Sequence, residues 1–395
     1  MKKIVFFLFS LFAISVSASE TEFDLWKRDF LKQAKEQGIS QITLDKYLPK
    51  MTYIQRAVNL DRSQPEFRQN FCAYLQTRIT PLRIKKAKDM MSKHRELLKQ
   101  VEIKYGVPAE YLVSFWALET GFGQNMGSFP ILSSLATLSY DNRRKEFFTS
   151  QLIALLKIIQ KEDIEPPLGS WAGAFGHFQF IPSTFIDYAV DGDGDGKRDI
   201  VHSFSDAVHS AAYYLKRMGW KKEEIWGEEF DGTPENYIKE KDKKGNLIIY
   251  KTSKNGEVLF NFPNEGVLLS PLGKMGPTFI TYKNFDVIKK WNKSDLYALS
   301  VGILADEIIG RKTYDVNACQ IHDFFTRNEI MEAQTCLRND ELYTGEIDGV
   351  DGPLTKEAII AYQKRHNLFP DGYLSKEVLA KLSKNCQKEV IGETP

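Results

Sequence analysis

Three groups of residues in this sequence have the types and spacing to do chemistry. The first is Leu118-Glu119-Thr120-Gly121-Phe122-Gly123. It sets a carboxylate at the C-terminal end of an apolar stretch, with Phe115 and Trp116 one helical turn earlier. Desolvation and the negative end of a helix dipole both disfavour a charged carboxylate, so Glu119 is expected to act as a general acid. A structural ion pair is the bland alternative for such a residue. The second group is Gly173-Ala174-Phe175-Gly176-His177-Phe178-Gln179-Phe180-Ile181-Pro182. Small residues permit close backbone approach, and Gln179 offers an amide donor and acceptor of the kind that binds sugars. The third is Asp191-Gly-Asp193-Gly-Asp195-Gly196-Lys197-Arg198-Asp199. Carboxylates at loop positions one, three, five and nine, a Gly at six and the Lys197 carbonyl at seven follow the calcium-loop pattern. Position twelve is His202 rather than Glu, and Asp206 is the candidate for the missing carboxylate. A structural calcium ion is expected here, and no organic cofactor.

These residues need a frame. Phe23 to Lys50 reads as one amphipathic helix, with Phe23, Trp26, Phe30 and Leu31 on a shared face. Pro81 to Tyr105 reads as another. Gly106-Val107-Pro108 punctuates it, and Ala109 to Thr120 follows as a buried helix ended by Gly121. Further helices are predicted over Arg144–Gln160, Ser205–Met218 and Leu296–Ile309. Between Trp226 and Thr281 the pattern changes. Asn246–Tyr250 and Val258–Phe260 look like strands of a hairpin, with Asn255-Gly256 between them. After a boundary near 313–326, three short helices are expected, the second capped by Thr355 and the third by Ser375.

With 395 residues, 43% hydrophobic and 27% charged, the chain has room for two or three domains. A formal net charge of +1 gives no global case for nucleic acid binding. Short basic runs such as Arg83–Lys88 read as solvated helix faces. Lys2 and Lys3, an apolar run from Ile4 to Val16, and Ser17-Ala18-Ser19 read as a secretory signal peptide. The run is short for a membrane span, so no stable membrane insertion is expected after cleavage. Export makes disulfides possible among Cys72, Cys319, Cys336 and Cys386. Three pairings exist; Cys336–Cys386, bracketing the C-terminal module, is favoured and would stabilise by roughly 4 kcal/mol.

In this order the motifs resemble the membrane-bound lytic transglycosylase B family over about residues 25 to 310. The matching stretches include Glu119-Thr-Gly-Phe-Gly, Ser133 to Tyr140, Gly173 to Pro182, Tyr188-Ala-Val-Asp-Gly-Asp-Gly-Asp and Leu268 to Pro277. Tyr343 to Ala358 and Ala361 to Leu368 resemble the three-helix peptidoglycan-binding domain. The resemblance implies a mainly α fold: an α+β lysozyme-like catalytic domain with a small β-hairpin region, plus a C-terminal three-helix module. It implies a signal peptide at 1–19, a catalytic domain at 20–312 and a peptidoglycan-binding domain at 326–386. It implies cleavage between N-acetylmuramic acid and N-acetylglucosamine in peptidoglycan, giving 1,6-anhydro ends, with Glu119 as acid and then base. Gln179, Tyr214, Tyr297, Asn292 and, less directly, Tyr74 match residues that line the cleft, and Arg143 and Arg144 suit muropeptide carboxylates. The metal ligands would be Asp191, Asp193, Asp195, Lys197, Asp199 and Asp206. No Cys follows the apolar run, unlike in lipid-anchored members, so a soluble, monomeric periplasmic form is expected. A water-using hydrolase is the nearest alternative, and a non-catalytic wall-binding protein a further one. A zinc peptidase is disfavoured by the lack of an H-E-x-x-H cluster.

Overall fold

The computed structural model describes residues 14–63, 71–230, 237–241, 247–252, 258–261, 266–273, 276–319 and 325–391. Most of the expected signal peptide therefore lies outside the described residues, as does the Asn255-Gly256 turn. In chain order the helices are α1 (Ile14–Glu36), α2 (Gln41–Tyr47), α3 (Gln55–Ser63), α4 (Phe71–Arg78), α5 (Pro81–Lys93), α6 (Arg95–Tyr105), α7 (Ala109–Thr120), α8 (Ile131–Tyr140), α9 (Lys145–Glu162), α10 (Pro182–Tyr188), α11 (Phe204–Arg217), α12 (Lys283–Trp291) and α13 (Asp295–Ile309). The last three are α14 (Arg327–Asn339), α15 (Pro353–Arg365) and α16 (Lys376–Ile391). The strands are β1 (Phe129–Pro130), β2 (Leu168–Gly169), β3 (Gly227–Phe230), β4 (Tyr237–Lys241), β5 (Leu247–Thr252), β6 (Val258–Asn261), β7 (Val267–Leu269) and β8 (Thr278–Thr281). The fold is mainly α, as expected. Among the described residues no helix is long and apolar enough to cross a membrane.

Two predicted helices are broken in ways their periodicity concealed. The Phe23–Lys50 stretch divides because Gly38 takes φ +86°, and the Ser40 side chain then caps α2 by accepting from the Thr43 amide. The Pro81–Tyr105 stretch divides at His94, whose φ −105° and ψ 21° close α5 and open α6. The predicted hairpin forms: β5 pairs antiparallel with β4 and with β6, Tyr250 opposite Asn261. A second antiparallel sheet, ordered β3-β8-β7, went unpredicted.

The chain divides into two compact units. One comprises the described residues of Met1–Gln64 and Glu119–Ala211. Its centre is α8, buried along most of its length and packed on α9 and α3. Here Ser133 and Thr137 accept the Thr52 and Ile54 amides, so α8 also fixes the chain that enters α3.

The other comprises the described residues of Pro65–Leu118 and Ala212–Pro395. Its central helix, α13, packs on α4, α5 and α12. Fully buried Trp226 donates its indole N–H to Asp306 at 2.9 Å, and Arg311 and Thr313 complete the partners of that carboxylate. A Cys72–Cys319 disulfide ties α4 to the segment after α13. This corrects the favoured pairing: Cys336 and Cys386 are free thiols on α14 and α16. The C-terminal helices build their own core from Leu337, Ile359, Tyr362 and Leu382. Ser375 caps α16 as expected, accepting from the Val378 amide. Thr355 does not cap α15. That helix starts at Pro353 after Gly352, and Thr355 is buried, its hydroxyl 3.1 Å from the Val350 carbonyl.

Candidate active site

Glu119 is the penultimate residue of α7 and is half-buried. The three residues Gly121, Phe122 and Gly123 all take positive φ, so the chain turns sharply just past the carboxylate. Thr120 locks that turn. Its buried hydroxyl donates to the His177 carbonyl at 2.8 Å and accepts from the Gly123 amide at 2.9 Å. Gly123 is required here: a Cβ would lie 2.5 Å from the His177 ring.

The Gly-rich segment is thereby brought against the Glu119 turn. Phe175 and Phe180 exchange backbone hydrogen bonds of 3.0 Å, closing the loop between them. Gln179 sits in that loop, half-buried, with φ +50°, an uncommon conformation for a residue with a side chain. Its amide nitrogen donates to the Met126 and Gly176 carbonyls, each at 3.0 Å. Those bonds fix which end of the amide is nitrogen and leave its oxygen as the acceptor it can offer. The two loops meet again where β1 pairs with β2.

Arg143 and Arg144 converge on one residue. Buried Asp61 accepts from Arg143 at 2.9 Å and from Arg144, and its carbonyl accepts from Arg143 as well. Asp61 lies 82 residues before Arg143, and nothing in its local sequence marks it as their partner.

The Asp-Gly loop lies against the start of α11. Carboxylate oxygens of Asp191, Asp193 and Asp206 gather within 4.8 Å of one another. Asp206 accepts the Gly192 amide at 2.8 Å and the Asp199 amide at 2.7 Å. Burial and the nearby Asp193 carboxylate raise its pKa. Three converging oxygen donors with mutual repulsion fit a hard cation. Asp195 and Asp199 do not join the group: Asp195 accepts the Lys197 amide, and Asp199 holds His202 at 2.8 Å.

Within the other unit, the cleft candidates fall into one aromatic group and two outliers. Trp291 packs on Phe115 at 4.7 Å and edge-on to Tyr214 at 5.0 Å. Tyr214 donates its hydroxyl to the Lys290 carbonyl at 2.9 Å. Tyr297 is buried 6.2 Å from Phe115, ring to ring. Asn292 closes α12 beside Trp291 and accepts the Ser294 amide. Tyr74 is buried in α4 beneath the Arg78 guanidinium, 3.5 Å from its ring centre. Trp291 was missed; its place next to Asn292 was the available signal.

A mainly helical frame with a half-buried glutamate at a helix end, turned onto a loop that presents a fixed amide, is that of a lysozyme-like protein. The family model described as "Transglycosylase SLT domain" matches residues 22–306, and the chain belongs to that family. A second model, described as "Putative peptidoglycan binding domain", matches residues 326–382. Membrane-bound lytic murein transglycosylase B of Escherichia coli (strain K12) is 32% identical over 238 residues, covering 58% of this chain and 65% of that protein's length. The structure of SltB3 from Pseudomonas aeruginosa in complex with NAG-anhNAM-pentapeptide is 36% identical with a TM-score of 0.79, covering 91% of this chain and 99% of that one. The Escherichia coli lytic transglycosylase Slt35 in complex with calcium is 27% identical with a TM-score of 0.60, covering 72% and 93%.

Proposed function

We propose that this chain is a lytic murein transglycosylase that cleaves the β-1,4 bond from N-acetylmuramic acid to N-acetylglucosamine in peptidoglycan. The observation that carries this is Glu119 at the end of α7, inside the transglycosylase match and fixed against the Gln179 loop. Glu119 protonates the glycosidic oxygen as the C1–O4 bond breaks. The resulting carboxylate takes the proton of the muramoyl 6-hydroxyl as O6 bonds to C1, which restores the acid. No water is consumed and no second carboxylate is needed, because a hydroxyl on the same sugar has a high effective molarity. A related protein crystallised with an anhydro-muramoyl ligand supports this outcome.

Gln179 would accept a hydrogen bond from the sugar through its amide oxygen. Tyr214, Tyr297, Asn292 and Tyr74 would line the cleft, with Trp291 as an added aromatic face. Arg143 and Arg144, held by Asp61, would receive peptide carboxylates. Asp191, Asp193 and Asp206 would hold calcium in a structural role, and calcium in a related structure supports this. The same reading places the protein in the periplasm after loss of residues 1–19, with a catalytic domain at 20–312 and a wall-binding module at 326–386.

The test is mass spectrometry of peptidoglycan digested by the protein. Products ending in 1,6-anhydromuramic acid are expected. Reducing muramic ends would mean that water attacks, and intact strands would refute the reading. Glu119→Gln is expected to lower the rate by roughly 10²- to 10⁴-fold with the thermal midpoint preserved.

A further inference from the structure

Helices α5 and α6 carry a charge imbalance for which the proposed reaction has no use. Eight basic and three acidic residues fall within 81–105, a net of +5; the whole chain is +1, so the remainder carries −4. Folding exposes most of it, with Asp89 and Glu96 the exposed acidic residues among the cations. The only fully buried residue of α5 is Ala87, and α6 turns Leu98, Val101 and Tyr105 inward. Lys85, Lys88, Lys93, Arg95 and Lys99 are all exposed. Among the described residues none of these five forms an ion pair. Their neighbours register the field: burial and the Arg78 cation lower the Arg83 pKa, and burial and the Lys93 cation lower that of His94. Lys216 extends the basic surface past α6, its ammonium 3.3 Å from the Lys104 carbonyl.

Two large aliphatic side chains stand out on the same helices. Leu82 is 77% exposed and Ile103 74%. One exposed leucine is ordinary. Aliphatic side chains displayed among lysines are the pattern of helices that lie on a membrane surface. A polymer bearing only carboxylates would match the cations but offer nothing to Leu82 and Ile103.

We propose that the exposed face of α5 and α6 docks on an anionic phospholipid bilayer, its lysines and Arg95 against lipid phosphates and Leu82 and Ile103 in the interface. The attraction is electrostatic, so it fades as salt screens it. The proposal is independent of the glycan-cleaving reading.

The test is co-sedimentation of the full chain with phosphatidylcholine vesicles, with and without phosphatidylglycerol, at low and high salt. Binding is expected only with phosphatidylglycerol and only at low salt. Each basic residue near such a surface contributes roughly a fivefold change in partitioning. The variant Lys85→Glu, Lys88→Glu, Lys93→Glu, Lys99→Glu is therefore expected to lose at least about a hundredfold. A Lys→Gln version of the same four positions should fall between, and thermal melts should confirm that both fold. Cleavage of isolated peptidoglycan by these variants should match that of the parent, so failure of the two ideas is separable. Absence of vesicle binding overturns the proposal. So does binding that survives charge reversal or high salt, which would point instead to the apolar Ile4–Val16 run. Capture of the parent by isolated peptidoglycan but not by vesicles, lost on charge reversal, overturns it in favour of wall carboxylates.

Discussion

At the scale of single residues, the catalytic assignment depends on backbone that only glycine can form. Gly127 lies between Glu119 and β1 with φ +100°, and a Cβ there would fall 2.1 Å from the Gly169 carbonyl carbon and oxygen. Neither atom belongs to a side chain that could swing away. Gly127→Ala is therefore expected to lose at least about 2 kcal/mol of stability, read by urea unfolding, and to lower lytic activity as the Glu119 and Gln179 loops part. An unchanged urea midpoint would show that the two loops are held together less tightly than their contacts imply. Glu119 and Gln179 each sit in a contiguous motif, which is how the sequence singles them out. It does not single out Asp61, since nothing local distinguishes it from any exposed helix aspartate; only the fold reveals it as the buried anchor of two arginines.

At the scale of elements, the Asp-Gly loop shows how the spacing of carboxylates along a chain and their arrangement in the fold can differ. Alternating aspartates suggested a cation loop, and Asp206 was identified as the replacement for the absent glutamate. The folded loop gathers Asp191, Asp193 and Asp206 but turns Asp195 and Asp199 to local amide and imidazole partners. Asp206 belongs to the first turn of α11, so bound calcium would couple the loop to that helix. Calcium at a hundredfold excess over its Kd should stabilise by about 2.7 kcal/mol, seen as a rise in Tm of several degrees that Asp206→Asn removes. A Tm indifferent to calcium and to chelator would rule out a calcium site there. The helix breaks at Gly38 and His94 show the limit of periodicity: an apolar repeat continues across a bend whenever both segments face the same core.

At the scale of the whole chain, long-range links dominate. The Cys72–Cys319 disulfide closes a loop over a separation of 247 residues. Chain-entropy arguments give a loop of that length about 5.5 kcal/mol as an upper value, so Cys72→Ser should lower the unfolding midpoint markedly. Alkylation of the urea-unfolded chain without reductant should label two thiols, Cys336 and Cys386, and four after reduction. Labelling of all four at the outset would contradict the bond. The same unit sets the response to alkali. Burial pushes the Tyr314 hydroxyl up to about 12. Burial, with the Asp306 and Glu228 carboxylates beside them, raises Tyr111 and Tyr282 further. The unfolded chain releases these protons near pH 10 and the folded chain later, so the folded form binds more protons in between. Stability should hold below about pH 10 and fall as pH rises toward about 12. Thermal melts across that range would detect it, and a flat profile would mean that these tyrosines are solvated.

By itself the sequence determined the class of fold and the three-helix tail, and it marked the glutamate, glutamine and Asp-Gly motifs as candidates. Each is encoded locally, in helical period, turn glycines or alternating carboxylates within a dozen residues. Only the tertiary structure decided which cysteines pair, which aspartates converge, what holds Arg143 and Arg144, and that Trp291 joins Phe115 and Tyr214. Those are contacts between residues tens to hundreds of positions apart. Their distances follow from how the helices pack, and neither composition nor spacing along the chain carries that information.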